Sequence, residues 1–135
     1  MLGKFGKLRR NIALVSVLGF TLILAQGLMT TATRAAEPIK IGFSMALTGA
    51  LAGGGKQSLV SMEMWAEDVN KKGGLLGRPV ELVYYDDQTN PKNVPGIYAK
   101  LLDIDKVDFV VSGYGTNLIA PAMPVVIQRD LVFMG

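Results

Sequence analysis

Short apolar stretches alternate along the chain with longer segments in which apolar residues recur every three or four positions. The short stretches are rich in Ile, Val, Phe and Tyr and have the length of strands, whereas the longer segments have the period of helices. The pattern predicts strands at residues 39–43, 80–85, 107–112 and 131–134. It predicts helices over residues 56–72, from about residue 90 or 93, and after residue 117 to about 129.

The first helix has a clear end. Lys71 and Lys72 lie in its last turn, where cations interact favourably with the carbonyl end of the helix dipole. Gly73 and Gly74 follow, and glycine readily adopts the left-handed conformation that stops a helix. The helix is therefore expected to end close to residue 72.

Prolines complicate the other two helices. The second helix has two candidate starts, after Asn90 or after Asn93, because Pro95 disrupts the first turn of a helix that begins at residue 91. In the third helix Pro121 and Pro124 predict a kink or a late start.

Strands separated by helices predict an α/β fold, a parallel sheet with helices on both faces joined by right-handed crossovers. We expect the strand order 2-1-3-4. A fourth strand at residues 131–134 closes the sequence with an uncovered edge. Residues 36–135 are therefore expected to be an incomplete unit, the N-terminal part of a longer protein.

Residues 1–35 have the three-part pattern of a secretory signal peptide. A basic start precedes an apolar run at residues 12–29, and Thr33 and Ala35 supply the small residues of a cleavage site. We expect cleavage near Ala35 and export from the cytoplasm. The alternative is an uncleaved membrane anchor, since about 18 apolar residues is the lower limit for crossing a bilayer.

Charge and composition exclude several classes of function. The chain has 14 basic and 11 acidic residues, but five of the basic ones lie in residues 1–35, so the rest is net negative. We therefore expect no nucleic-acid partner, because phosphate binding needs a positive face. The chain has no cysteine and no histidine, which excludes disulfides, cysteine nucleophiles and histidine bases.

Two loops are candidates for ligand binding. In a parallel sheet of this order, ligands bind in the crevice between the loops after strands one and three. Those loops, residues 44–55 and 113–117, are rich in glycine and small polar residues, and each leads into a helix. Their backbone amides suit a carboxylate or a phosphate, and Thr116 and Asn117 add directional hydrogen-bond groups. Alternatively, Thr116 or Asn117 only caps the third helix.

Two other chemistries fit the residues poorly. The phosphate-binding loop of nucleotide hydrolases needs glycine and Ser or Thr around its lysine, but Lys56 has Ala50 and Gln57 at those positions. Asp86 and Asp87 are adjacent on a strand and point to opposite faces. They are expected to close the strand by hydrogen bonding, and we expect no metal and no cofactor.

Residues 39–49 (IKIGFSMALTG) and 66–88 (AEDVNKKGGLLGRPVELVYYDDQ) resemble the solute-binding proteins of ABC importers, especially the branch that includes leucine/isoleucine/valine-binding proteins. The run NxxGGxxGRPV is the most specific part. The resemblance implies one lobe of the two-lobed type I periplasmic-binding fold, which closes on an amino acid and delivers it to an ABC permease. A periplasmic binding protein without catalytic activity is therefore expected.

The resemblance also implies which residues hold the ligand, because the loops after strands three and four grip the α-carboxylate and ammonium in this family. The loop after strand four is expected beyond residue 135. The corresponding residues here are Tyr114, Gly115, Thr116 and Asn117 after strand three, and Leu51, Gly53 and Gly54 after strand one. Family members often carry an aromatic residue in the first loop and Ser at the position of Asn117. Amides, aromatic acids and other small carboxylates are therefore candidate ligands beside leucine, isoleucine and valine.

Two alternatives remain open from the sequence. The sensory domain of a membrane receptor has the same fold and could keep residues 12–29 as an anchor. An exported hydrolase would need all its catalytic groups beyond residue 135, because the sequence has no histidine and no Gly-x-Ser-x-Gly elbow.

Overall fold

The computed structural model describes residues 36–135, so the signal-peptide prediction lies outside the described residues. In chain order the elements are β1 (Ile39–Met45), α1 (Ala52–Lys71), β2 (Val80–Asp86), α2 (Val94–Asp103), β3 (Phe109–Val111), α3 (Thr116–Ile119), a 3-10 turn (Ala120–Ala122), α4 (Met123–Ile127) and β4 (Phe133–Met134). The predicted alternation of strand and helix is confirmed. Within the described residues, no helix combines the length and hydropathy needed to cross a bilayer.

The four strands form one parallel sheet in the order β2-β1-β3-β4, as predicted. β1 and β2 pair along their full length, from Ile39 opposite Val80 to Met45 opposite Asp86. β3 and β4 are shorter than the sequence pattern suggests. Because β1 and β3 are parallel neighbours, the loops that follow them leave the sheet at the same end.

Helices cover both faces of the sheet. On one face, Ile39 and Ile41 of β1 pack with Ala66 of α1. On the other face, α2, α3, the 3-10 turn and α4 supply most of a larger core. Its largest fully buried members are Tyr98, Leu101, Val110, Leu118 and Val126.

The segment that carries the specific family resemblance joins α1 to β2. Asn70 of α1 forms two hydrogen bonds with the backbone of Val80, accepting from its N–H at 2.7 Å and donating to its carbonyl at 2.9 Å. Arg78 donates to the carbonyl oxygens of Glu37 and Pro38 at 2.7 and 3.0 Å. These contacts fix the start of β2 against α1 and the entry to β1, so the run has a structural role.

α1 begins four residues earlier than predicted, so Gly53, Gly54 and Gly55 belong to its first turn. The prediction that the loop extends through residue 55 is therefore wrong. Glycine weakens a helix, which is why the sequence pattern favours a later start. Close contacts override that preference: a Cβ at Gly55 would overlap the carbonyl oxygen of Ala46.

The predicted end of α1 is confirmed. Lys72 is the C-cap residue, and its backbone N–H donates to the carbonyl of Val69 at 3.1 Å. Gly73 and Gly74 follow with φ values of +99° and +80°. The N–H of Gly74 also donates to Val69 O, at 2.9 Å, so this carbonyl at the end of the helix accepts two hydrogen bonds.

The structure resolves both proline ambiguities. Asn93 is the N-cap residue of α2, so the later of the two candidate starts is correct. The third helical segment is divided, as predicted: Pro121 lies in the 3-10 turn between α3 and α4, and Pro124 lies in the first turn of α4. α3 is consequently only one turn long.

Candidate ligand-binding site

The loops after β1 and β3 lie side by side at the carboxyl end of the sheet. A Cβ on Gly113 would overlap the carbonyl oxygen of Ser44, so only glycine allows the second loop to pass so close to the end of β1. Further along, a Cβ on Gly115 would lie 2.9 Å from Cδ1 of Leu51. The two loops are therefore in contact at the end of the sheet where a ligand crevice is expected.

The side chain of Tyr114 reaches from the loop after β3 to the first turn of α1. Its Cζ, Oη and Cε1 atoms lie where a Cβ on Gly54 would be, so the ring packs directly on the first turn of α1. Gly53 differs from its neighbour, because a Cβ there would have no atom within 4 Å. The ring thus contacts one of the two glycines and leaves the other facing open space.

Thr116 and Asn117 begin α3 on the side of the second loop. Gly115, with φ of +101°, is the N-cap residue, and no side chain caps this helix. The capping alternative for Thr116 and Asn117 is therefore wrong. Both side chains are exposed, and neither forms a hydrogen bond with another described residue. Their polar groups are available to a ligand.

The first turn of α1 begins at the same end of the sheet and contains two backbone N–H groups that bond to no described residue. The N–H of Ala52 donates to Gly49 O at 3.2 Å and that of Gly55 donates to Leu51 O at 3.0 Å. Among the described residues, no hydrogen bond uses the N–H of Gly53 or Gly54. The first amides of a helix have no partner within it, and the positive end of the helix dipole favours an anion there.

The loop after β1 is held by two side chains whose part in the site the sequence did not reveal. Asp86 accepts hydrogen bonds from the N–H groups of Leu47 and Thr48 at 3.0 and 3.2 Å and from Thr48 Oγ1 at 2.6 Å. Thr89 Oγ1 donates to Thr48 O at 2.7 Å and accepts from the N–H of Leu51 at 3.2 Å. The loop after β2 therefore fixes the shape of the loop after β1.

Asp86 is held in its ionised form. Burial opposes ionisation, but the hydrogen bond from the Thr48 hydroxyl and those from the N–H groups of Gln88, Leu47 and Thr48 together lower the pKa of its carboxyl. The prediction that Asp86 closes the strand by accepting hydrogen bonds is confirmed, and it extends to a loop 38 residues away in sequence.

Asp87 has the opposite environment. Its side chain is completely buried, and Oδ1 accepts from the N–H of Thr89 at 2.9 Å. Burial raises the pKa of Asp87, an effect that the hydrogen bond from Thr89 and the nearby Ser44 hydroxyl only partly offset and that the charge of Asp86 reinforces. Asp87 Oδ2 and Ser44 Oγ are both buried without a hydrogen bond of normal geometry among residues 36–135.

Two cavities of the described surface lie away from this crevice. One, of about 450 Å³, opens on the side of α1 beside Trp65 and Lys71. The other, of about 210 Å³, lies next to Phe109 and Leu131, near the amino ends of β3 and β4. Ligands of parallel sheets bind at the carboxyl ends of strands, so neither position is the expected one. Residues 36–135 contain no group of three or more side chains that could hold a metal ion.

Comparison with known proteins gives the family. Residues 38–135 match the periplasmic binding protein family. The chain is 30% identical over 114 residues to an amino acid binding protein of Pseudomonas aeruginosa, covering 84% of this chain and 30% of the relative. It is 31% identical over 87 residues to the Leu/Ile/Val-binding protein of Escherichia coli, covering 64% of this chain and 23% of the relative.

A solved structure has the same fold. The crystal structure of a possible leucine/isoleucine/valine-binding protein from Rhodopirellula baltica superposes with a TM-score of 0.70 at 26% identity, covering 78% of this chain and 28% of that one. The parallel sheet in the order 2-1-3-4 is thus that of a type I periplasmic binding protein. The chain belongs to the periplasmic binding protein family. It spans less than a third of the length of the relatives described above.

Proposed function

We propose that this chain forms part of the substrate-binding component of an ABC importer, which captures an amino acid or a related small carboxylate and delivers it to a membrane permease. Its described residues supply half of the binding crevice. The ligand's carboxylate interacts with Thr116, Asn117 and the first turn of α1. The protein binds its solute without changing it chemically.

The observation that carries this proposal is the set of unpaired polar groups around one crevice. The hydroxyl of Thr116 and the amide of Asn117 have no partner among the described residues, and the same is true of the N–H groups of Gly53 and Gly54. Unpaired donors that meet at one place suit a small anion. A micromolar ligand needs about 8 kcal/mol, which a few charge-assisted hydrogen bonds in a closed cleft can supply.

The names of the relatives support the class of ligand. One is described as an amino acid binding protein and another as a Leu/Ile/Val-binding protein. A third relative, from Pseudomonas aeruginosa, is described as binding leucine, isoleucine, valine, threonine and alanine. An α-amino acid is therefore the first ligand to test, and its carboxylate is the group that the crevice suits.

We further propose that the protein works in the periplasm after removal of residues 1–35. Family membership and the leader-like sequence of those residues both support export. N-terminal sequencing of the exported protein tests this point. A mature start at residue 36 is expected, whereas an intact leader would favour the membrane-anchored receptor.

Isothermal titration calorimetry on the complete protein tests solute capture. The titrants are the twenty amino acids and a set of small carboxylates that lack the ammonium group. Saturable binding of at least one of them with a micromolar or lower Kd is expected. Absence of binding to every amino acid and carboxylate would overturn the proposed function.

A further inference from the structure

Tyr98 and Tyr114 are held very differently. Tyr98 is 1% exposed, and its hydroxyl donates to the carbonyl of Val111 at 2.6 Å within the core. Tyr114 is 39% exposed and belongs to neither core cluster. Its hydroxyl forms no hydrogen bond with any described residue. Tyr98 is therefore part of the hydrophobic core, and Tyr114 is not.

The Tyr114 ring nevertheless makes one close backbone contact. The hydroxyl end of its ring lies in the space that a side chain at Gly54 would need. The ring and the backbone of the first turn of α1 are consequently in direct contact, and any residue other than glycine at position 54 would displace the ring. A large, partly exposed aromatic ring beside unpaired polar groups is a typical contact surface for a ligand.

The shape of this surface indicates the kind of ligand. Gly53 and Gly54 add no side chains beside the ring, and a Cβ at Gly53 would meet no atom within 4 Å. The ring therefore adjoins backbone without side chains, and Tyr114 is only two residues from Thr116 in sequence. Flat aromatic surfaces favour planar rings, which stack with about 0.5–1.5 kcal/mol beyond the effect of burial.

We propose that Tyr114, packed on Gly54, selects carboxylates that carry an aromatic ring over carboxylates of similar size with aliphatic side chains. This inference rests on the proposed function, because it specifies the ligand of the same crevice. Tyr114 contacts the side chain of the ligand, and Thr116 and Asn117 contact its carboxylate.

Two matched pairs of titrants test the preference in the complete protein: L-phenylalanine against L-cyclohexylalanine, and benzoate against cyclohexanecarboxylate. In the pair that binds, the aromatic member is expected to bind about two- to tenfold more tightly. Tyr114→Leu is expected to abolish this preference, and Tyr114→Phe is expected to keep it. If the Tyr114→Phe variant keeps the preference, the ring stacks on the ligand; if the variant loses it, the Tyr114 hydroxyl supplies a hydrogen bond instead.

Glycine substitutions test the contact on which the inference depends. Gly54→Ala is expected to lower the affinity for the aromatic member, because the new Cβ displaces the Tyr114 ring. Gly96→Ala is the matched control: Gly96 is likewise the third residue of a helix, and a Cβ there would meet nothing within 4 Å. It is expected to leave both affinities unchanged.

Failure of this inference differs from failure of the proposed function. An equal or higher affinity for the aliphatic members, or an unchanged preference in Tyr114→Leu, would overturn the inference while carboxylate binding itself persists. If no member of either pair and no amino acid binds, the proposed function is overturned, and the inference with it. Thermal unfolding of each variant identifies any that fails to fold. If Tyr114→Leu does not fold, the affinities of Tyr114→Phe and Gly54→Ala decide the role of the ring.

Discussion

The two loops that border the crevice are built in opposite ways. The loop after β1 is held by side chains of the loop after β2, with Asp86 and Thr89 making several hydrogen bonds to its backbone. The loop after β3 receives no such support, and Thr116 and Asn117 at its end have no partner among the described residues. The first loop is held in place by side chains of a neighbouring loop, whereas the second ends in polar side chains without a partner among the described residues.

This difference assigns the two loops different roles, one in positioning the site and the other in contacting the ligand. A binding site needs groups that are held in position and groups that are free to contact the ligand. Here Asp86 and Thr89 supply the first, because together they fix the loop that leads from β1 into α1. Thr116 and Asn117 supply the second. Substitutions in the two loops should therefore affect different properties, stability in the first and affinity in the second.

The largest effect is expected for ligand affinity in the double variant Thr116→Ala/Asn117→Ala. Each side chain is expected to lose a hydrogen bond to a charged group, about 1.5 kcal/mol, so the Kd should rise about 100-fold. The free energy of unfolding should change by less than about 0.5 kcal/mol, because both side chains are exposed and unpaired. Calorimetry and urea unfolding of the complete protein measure the two quantities.

Ser61→Ala is the control for this double variant, since Ser61 lies at an exposed position of α1 and its hydroxyl only donates to Gln57 O within the same helix. An unchanged Kd in the double variant would show that the loop after β3 does not hold the ligand.

Asp86→Ala is expected to have the opposite profile. It removes the acceptor for the N–H groups of Leu47, Thr48 and Gln88 and for the Thr48 hydroxyl, so the free energy of unfolding should fall by about 2 kcal/mol. Urea unfolding at neutral pH measures the loss. Asp86→Asn keeps one acceptor oxygen and should lose less. Unchanged stability in Asp86→Ala would contradict the supporting role of this residue.

Asp87→Asn is expected to have a smaller effect on the free energy of unfolding than Asp86→Ala, and to raise it rather than lower it. The amide oxygen can accept from Thr89 as Asp87 does, while its NH₂ can donate to the unpaired Ser44 hydroxyl. The free energy of unfolding at pH 7 should therefore rise by about 1 kcal/mol. Lower stability of Asp87→Asn at this pH would contradict the account of the buried cluster.

The two neighbouring aspartates also give opposite pH dependences. The pKa of Asp86 is lowered in the folded protein, so its stabilisation is present at neutral pH and is lost as the pH falls through that pKa. The pKa of Asp87 is raised, so its contribution is complete at low pH and is lost as the pH rises through that pKa. The advantage of Asp87→Asn over wild type should thus shrink on acidification, which urea unfolding at several pH values measures.

Local sequence patterns predicted most of the fold. The alternation of strands and helices, the end of α1 at Gly73 and Gly74, and the break near Pro121 all depend on residues close together in the chain. The order 2-1-3-4 joins strands that are distant in sequence, and it was predicted from the general behaviour of parallel sheets. The start of α1 was mispredicted because three glycines disfavour a helix, whereas the tight approach of Gly55 to Ala46 permits no larger residue there.

The details of the site depend on contacts that periodicity does not record. The sequence indicated that the loops after β1 and β3 carry the site. It could not show that Thr89 bonds to Thr48 or that the Tyr114 ring packs on Gly54, because these partners lie 41 and 60 positions apart. It also left open whether Thr116 and Asn117 cap α3, which depends on the backbone conformation of Gly115.

The crystal structure of the complete protein with a bound amino acid or small carboxylate is the most direct test of the central claim. We expect the carboxylate oxygens within about 3.2 Å of the Thr116 hydroxyl or the Asn117 amide and facing the N–H groups of Gly53 and Gly54. A ligand bound elsewhere, with these groups exposed to solvent in the closed protein, would contradict it.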